Sequence, residues 1–286
     1  MLLVNTFDVE PWWATVPPCV EVEQWGEMPD RSEAVLREYL DLCDEAGVKC
    51  TFFFIGWYAK CFPKRVEEVV RRGHEVGCHS LYHEDVATLT TLQFRDSTRE
   101  AKAIIEDAGG ASVVAYRAPS FSFPPDRCGE LLGELSGLGF TIDSSITTAG
   151  RIYGGGYTKE QFSEPLNLMG IYGVDIFEVP VPGVMLAGSE LTLFGGGYLR
   201  LAPNFLLNHF IHRESYQVLY VHPHDFDLDL PGLPSSSTLS NIRRRLRVGD
   251  LREKVLNLFA LSEVKSCGEL LAQSMSDTFE SQAAIV

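Results

Sequence analysis

Apolar and polar positions along the chain fall into short blocks that switch between a strand-like and a helix-like period. The run from Leu2 to Phe7 reads as a short buried strand, and it stops at two acids, Asp8 and Glu10, followed by Pro11. From Asp30 the spacing turns helical: Val35, Leu36, Tyr39, Leu40 and Cys43 fall on one face, and Gly47 ends the element. Cys50–Ile55 is apolar and β-prone, hence a buried strand. The same reasoning predicts helices over 63–72, 91–108, 125–138 and 203–214, and strands over 75–78, 112–116, 140–142, 175–180, 191–194, 218–221 and 262–265.

Strands that alternate with helices across short links predict a parallel sheet with helices outside, either doubly wound or closed into a barrel. No G-x-G-x-x-G follows the first strand and no Walker loop occurs, which favours the barrel. Gly154-Gly-Gly-Tyr157 and Gly195-Gly-Gly-Tyr198 are expected to be tight turns or places where backbone approaches a ligand. Residues 11–29, with Trp12, Trp13 and Trp25 among prolines, form a long connection that either covers a binding site and stacks on sugar rings or docks its aromatics on the core. With no linker and no repeat, one domain is expected over 1–275, followed by a mobile polar tail over 276–286.

Composition narrows the function. With 24 basic and 39 acidic residues the formal net charge is −15, which argues against nucleic acid as a partner. The basic run Arg243-Arg-Arg-Leu-Arg247 is read as a solvated helix face, with a local contact to anionic lipid or phosphate as the alternative. Seven cysteines without a C-x-x-C pair suggest reduced, core-filling thiols. No apolar run approaches the roughly 20 residues of a membrane span. No basic leader region precedes the first strand, so a cytoplasmic location is expected. Oligomeric state is left open.

Active sites of parallel α/β folds gather at the carboxyl ends of strands. Those ends carry Asp8 and Glu10, His79 and His83, Arg117, Asp143, and His222 with His224 and Asp225 behind it. His79-Ser-Leu-Tyr-His83 has the i, i+4 spacing that one helical turn would place on a single face, as two ligands of a metal completed by a carboxylate from elsewhere.

Together these residues resemble the polysaccharide deacetylases, the NodB-like carbohydrate esterases. The resemblance is carried by Thr6-Phe-Asp-Val-Glu-Pro11, His79-Ser-Leu-Tyr-His83, Arg117-Ala-Pro119, Asp143 and Tyr220-Val-His222, in that order. Val9 stands where the family has a second Asp, Tyr220 where it has Leu, and Ser120 where a Tyr is common. The chain is similar to the branch tied to bacterial exopolysaccharide loci. The resemblance implies a distorted (β/α)7-type barrel and a metal-dependent hydrolase that removes an N-acetyl or similar small acyl group from an amino sugar in a glycan or its precursor. It implies one divalent ion, Zn²⁺ first with Co²⁺, Ni²⁺ or Fe²⁺ as alternatives, held by Glu10, His79 and His83. Asp8 would be the general base, oriented by Arg117, and His222 the general acid, held by Asp143. Trp12, Ser120, Tyr220 and His224 would contact substrate. Hydrolysis of a non-sugar linear or cyclic amide, or sugar binding without catalysis, are the alternatives.

Overall fold

The computed structural model describes residues 1–16, 18–149, 156–233, 238–246 and 248–283. Its strands are β1 (Leu2–Val9), β2 (Thr51–Phe54), β3 (Glu75–Cys78), β4 (Ala115–Tyr116), β5 (Ile142–Asp143), β6 (Leu166–Asn167), β7 (Phe177–Glu178), β8 (Val184–Leu186), β9 (Ser189–Leu191), β10 (Tyr216–Val221) and β11 (Glu263–Lys265). β10, β1, β2, β3, β4, β5 and β7 lie side by side in that order and run parallel, so their carboxyl ends share one rim. β6 adds antiparallel to β7, β11 pairs the start of β1, and β8 with β9 forms a separate hairpin. The sheet curls into a distorted barrel.

Strand alternation sorts β1 between two cores. Leu3, Phe7 and Val9 join the large apolar layer between the sheet and the outer helices. Val4 joins a second cluster with Phe53, Ile142, Phe177, Val179 and Val218, drawn from strands around the barrel. The buried polar residues of β1 are satisfied. Thr6 Oγ1 donates to Leu219 O (2.8 Å), and Tyr39 OH donates to Asn5 Oδ1 (2.6 Å). The helices Ser32–Ala46, Pro63–Arg71, Thr91–Gly109, Cys128–Gly137 and Asn204–Ile211 lie where the apolar spacing places them. Several predicted strands shrink to two residues, because the sheet curves away after one or two ladder bonds.

The 276–286 segment, expected to be a mobile tail, is helical as far as Ala283, where the helix Cys267–Ala283 ends; residues 284–286 lie outside the described residues. Two expectations are corrected. The strand expected over 191–194 is instead the end of the β8–β9 hairpin. The expected solvated face of 243–247 is broken by Arg244, whose Nη2 donates to Trp12 O (3.0 Å), and by Arg245, whose Nε donates to Leu230 O (2.6 Å). Gly154 and Gly155 lie outside the described residues. Five of the seven cysteines are buried and all are free, as core-filling thiols are expected to be.

Candidate active site

A cavity of about 630 Å³ opens on the carboxyl rim and is lined by residues from both halves of the chain. Asp8 and Glu10 reach it because alternation places both on the face opposite Val9, which is fully buried in the outer apolar layer. Val9 therefore faces away from the chemistry, and Glu10 supplies the second carboxylate one residue beyond the strand.

Glu10 Oε2 lies 2.7 Å from His83 Nε2 and 3.7 Å from His79 Nε2. The three side chains are buried, and ligand-type atoms from all three fall within 4.8 Å of one another. The sequence spacing is met, but not by the expected helical turn. Residues 79–83 form an irregular loop in which Ser80 (φ 63°) and His83 (φ 59°) adopt left-handed backbone. The loop is held from outside, where Gly56 N–H and Trp57 N–H, at the start of the helix Gly56–Cys61, donate to Ser80 O (2.9 Å) and Leu81 O (2.9 Å). His79 Nδ1 sits 2.8 Å from Arg117 O. A carbonyl can only accept, so Nδ1 carries a proton, and Nε2 is the ring atom turned toward Glu10. Burial alone would raise the pKa of Glu10, but the charges of His83 and His222 and hydrogen bonds from His79 and His83 hold it well below the usual carboxylate range. An ionised carboxylate with two imidazole nitrogens aimed at one point is a donor set that fits a divalent cation such as Zn²⁺.

Asp8 is held beside this trio. Fully buried Arg117 donates from Nη1 to Asp8 Oδ1 (2.8 Å) and to Thr6 Oγ1 (2.7 Å), and from Nη2 to Ser144 Oγ (2.8 Å). Its guanidinium also lies over the Phe53 ring, 4.4 Å from the centroid. Across the cavity, His222 Nε2 is 3.8 Å from Asp8 Oδ2, and His222 Nδ1 is 2.8 Å from Asp225 Oδ2. Burial lowers the pKa of His222, but Glu10, Asp225 and Asp8 outweigh it and raise the value to about 9. Asp225 is depressed below the usual carboxylate range despite burial, because His224, His222 and Arg200 surround it.

The role expected of Asp143 is corrected by this geometry, because the carboxylate on His222 is Asp225. Asp143 points to the outer side of the sheet and accepts from Ser145 Oγ (2.6 Å), which in turn accepts from Ala118 N–H (2.8 Å). It therefore braces the Arg117–Pro119 turn from behind. Its neighbour is Glu178, whose carboxyl is pushed well above the ordinary carboxylate range by burial and by the charge of Asp143. The Arg117 contact from this strand end comes instead from Ser144.

The four expected substrate contacts all line the cavity. Trp12 is buried with its Nε1 donating to Pro29 O (3.2 Å), so the 11–29 connection docks on the core while one indole faces the site. Ser120 (φ 52°) projects from a strained turn. Tyr220 OH bonds Thr192 Oγ1 (2.7 Å), and its ring lies so close to Gly195 that a Cβ there would sit 1.9 Å from Tyr220 Cε1. His224 stacks on His222 with centroids 4.7 Å apart, and burial lowers its pKa to about 4. His222, His224 and Asp225 also gather ligand-type atoms within 4.8 Å, but Asp225 is already committed to His222 and to Arg200 (3.0 Å from Nε to Oδ1).

Arg200 and Arg244 are not assigned to the site from sequence, and Asp225 is placed on the rim without a role. Asp225 was detectable, because it stands three residues after His222 and a Pro at the first helical position turns it back. Its carboxylate also accepts from His222 N–H (3.0 Å). Arg200 sits in the helix Gly196–Leu201, whose last carbonyls are covered by the buried Lys254 ammonium, donating to Leu199 O, Arg200 O and Ala202 O (3.2, 2.6 and 2.8 Å). No local pattern announces that arrangement.

Comparison with known proteins agrees with the site. Residues 6–132 match the polysaccharide deacetylase family model, and residues 144–272 match a domain of unknown function, DUF3473. A chitooligosaccharide deacetylase of Sinorhizobium fredii is 39% identical over 83 residues, 29% of this chain and 39% of that protein. A peptidoglycan-N-acetylglucosamine deacetylase of Bacillus cereus is 31% identical over 93 residues, 32% of this chain and 31% of that protein. The matched stretches thus span well under two thirds of those relatives. Among solved structures, a Mycobacterium smegmatis protein assigned to the polysaccharide deacetylases superposes with a TM-score of 0.63 at 20% identity, covering 97% of this chain and 91% of that one. A 4-alpha-glucanotransferase of Thermococcus litoralis gives a TM-score of 0.60 at 12% identity, covering 95% and 40%. At these identities the two structures speak to the fold alone. The motifs, the barrel and the matched models converge: residues 6–132 match the polysaccharide deacetylase family, and the residues beyond them complete the same barrel.

Proposed function

We propose that this protein is a metal-dependent hydrolase that removes an N-acetyl or similar small N-acyl group from an amino sugar in a polysaccharide or its precursor. The observation that carries the reading is the convergence in one cavity of Glu10, His79, His83, the Asp8–Arg117 pair and His222, whose Nδ1 is bonded to the buried Asp225. Glu10, His79 and His83 are the residues that would hold a divalent cation, and Zn²⁺ suits two imidazoles and a carboxylate. When bound, the ion supplies Lewis-acid polarisation of the amide carbonyl and a lowered pKa for water.

The remaining chemistry belongs to the side chains. Asp8 accepts a proton from the attacking water, and Arg117, donating to its Oδ1, keeps it aimed. His222 enters the reaction protonated, since its pKa of about 9 lies above neutral pH, and donates from Nε2 to the leaving nitrogen. Asp225, on Nδ1, fixes the tautomer and orientation that leave Nε2 facing the substrate. An amide needs both partners, because its nitrogen leaves poorly unless protonated. The cavity volume accommodates more than one sugar ring, which favours a glycan over a small cyclic amide.

The test pairs metal analysis of the purified chain with acetate release from N-acetylated chitooligosaccharides. One equivalent of metal and metal-dependent acetate release are expected. A chain that holds no metal, or releases acetate equally well after chelation, overturns the reading.

A further inference from the structure

The wall of the cavity carries a cation whose hydrogen-bonding capacity is not fully used among the described residues. Arg244 lines the same cavity as Asp8, Glu10 and His79. Its Nη2 donates to Trp12 O (3.0 Å), but Nη1 is buried and has no hydrogen-bond partner among the described residues. Among the described residues no carboxylate lies within ion-pair distance of it. Burial pushes its pKa down, and the carboxylates of Glu10 and Asp225 offset this only in part. Leaving a charged donor buried and unpaired is costly, so such a group is stable only if something completes it.

Arg200 shows the contrast. It is 5% exposed and its charge is matched by Asp225, 3.0 Å from Nε. Arg200 Nη1 donates to the backbone carbonyl of Arg244, so one arginine, itself neutralised, holds the other in place. The chain has a formal charge of −15, yet it commits a second arginine to this wall without giving it an acid. A guanidinium presents a planar fork of N–H donors that matches an oxyanion better than a hydroxyl.

We propose that Arg244 forms an anion subsite that binds a negatively charged oxygen group, a carboxylate or a phosphate, carried by the substrate beside the N-acylated sugar. This rests on the deacetylase reading for the identity of the substrate, but not for the subsite itself. The substrate class is then an acidic amino-sugar glycan containing uronate, or a phosphate-linked amino-sugar precursor. The two share the chemistry Arg244 recognises and are separable by experiment.

Binding to the full metal-loaded chain is measured by calorimetry with two probes, UDP-N-acetylglucosamine and an N-acetylglucosamine–glucuronate oligosaccharide, and with neutral chitotetraose as reference. KM and kcat for acetate release are measured alongside. At least one anionic probe is expected to bind about tenfold or more tightly than the neutral one. Arg244→Gln is expected to weaken that probe by about 10- to 100-fold, the usual worth of a charge-assisted hydrogen bond, and to raise its KM by at least ten times more than the KM for chitotetraose. Arg244→Lys should restore part of the loss, because it returns charge without the fork. Preference for the nucleotide sugar assigns a phosphate to the subsite, and preference for the uronate oligosaccharide assigns a carboxylate. Equal weakening of charged and neutral ligands in Arg244→Gln would show that Arg244 merely anchors Trp12, and it overturns the subsite. Unchanged binding of the anion in that variant overturns it too. Anion binding that depends on Arg244 without acetate release from any probe supports the subsite and counts against the deacetylase reading instead.

Discussion

Glu10, His79 and His83 stand at the ends of β1 and β3, which flank β2 near the start of the chain, whereas a second wall gathers Arg200, His222 and Arg244, with the buried Asp225 bonded to His222, from the second half. The first wall is positioned by backbone. Carbonyls of the 80–81 loop cap a helix start, and a carbonyl sets the tautomer of His79. The second wall is positioned by its own charges: Arg200 holds Asp225, and Asp225 holds His222. A site held by backbone fails where a ligand is removed. A site held by a chain of charges transmits a change at one member to the others.

The sharpest way to break this comparison is at the trio. His79→Ala or His83→Ala should reduce both bound metal and acetate release to background, because each removes one of three donors; full metal content in either variant would contradict the assignment. Asp8→Asn comes next. It should keep its metal, since Asp8 is outside the trio, yet lose about 10²- to 10⁴-fold in kcat, the range of a missing general base. It should also unfold at lower denaturant, because Arg117 is left buried without its carboxylate.

Asp225→Asn probes the charge-held wall. The folded-state pKa of His222 is raised from 6.5 to about 9, so the stabilisation it draws from Glu10, Asp225 and Asp8 is fully present below about pH 6.5 and is lost as pH rises through about 9. Activity that needs protonated His222 should fall on the same alkaline side. A cation on Glu10 removes part of that support and moves the limb below 9, while the contribution of Asp225 remains. Asp225→Asn should therefore shift the alkaline limb of kcat further down and cost about tenfold or more at pH 8, with metal content unchanged. A profile that keeps its limb would separate Asp225 from the acid. The smallest effect is expected at Gly195→Ala, where the new Cβ meets the Tyr220 ring. Overpacking of this kind costs about 1–3 kcal/mol, read as a Tm lower by several degrees and a higher KM with the metal retained.

Much of this site was legible in the sequence because strand ends carry their own signal. An apolar run that stops in Asp8-x-Glu10 places both acids on one face, and strand alternation turns Val9 away whatever the rest of the chain does. His79 and His83 announce themselves by spacing, although the helical turn inferred for them was wrong. Four residues with two left-handed members bring the rings together as well as a helix would. Asp143 was misplaced for a related reason: a strand end offers two faces, and with only two paired residues in β5 there is too little alternation to choose between them.

The sequence by itself determined the parallel strand–helix alternation, the order of the motif residues and the place of Asp8, Glu10, His79, Arg117 and His222 at strand ends. Those follow from side-chain period and from residues a few positions apart. Only the tertiary structure decided that Asp225 rather than Asp143 supports His222, that Arg200 is neutralised and Arg244 is not, and that both halves of the chain line one cavity. Those facts depend on where side chains from distant segments end, and burial rather than local pattern sets the energy of each charge.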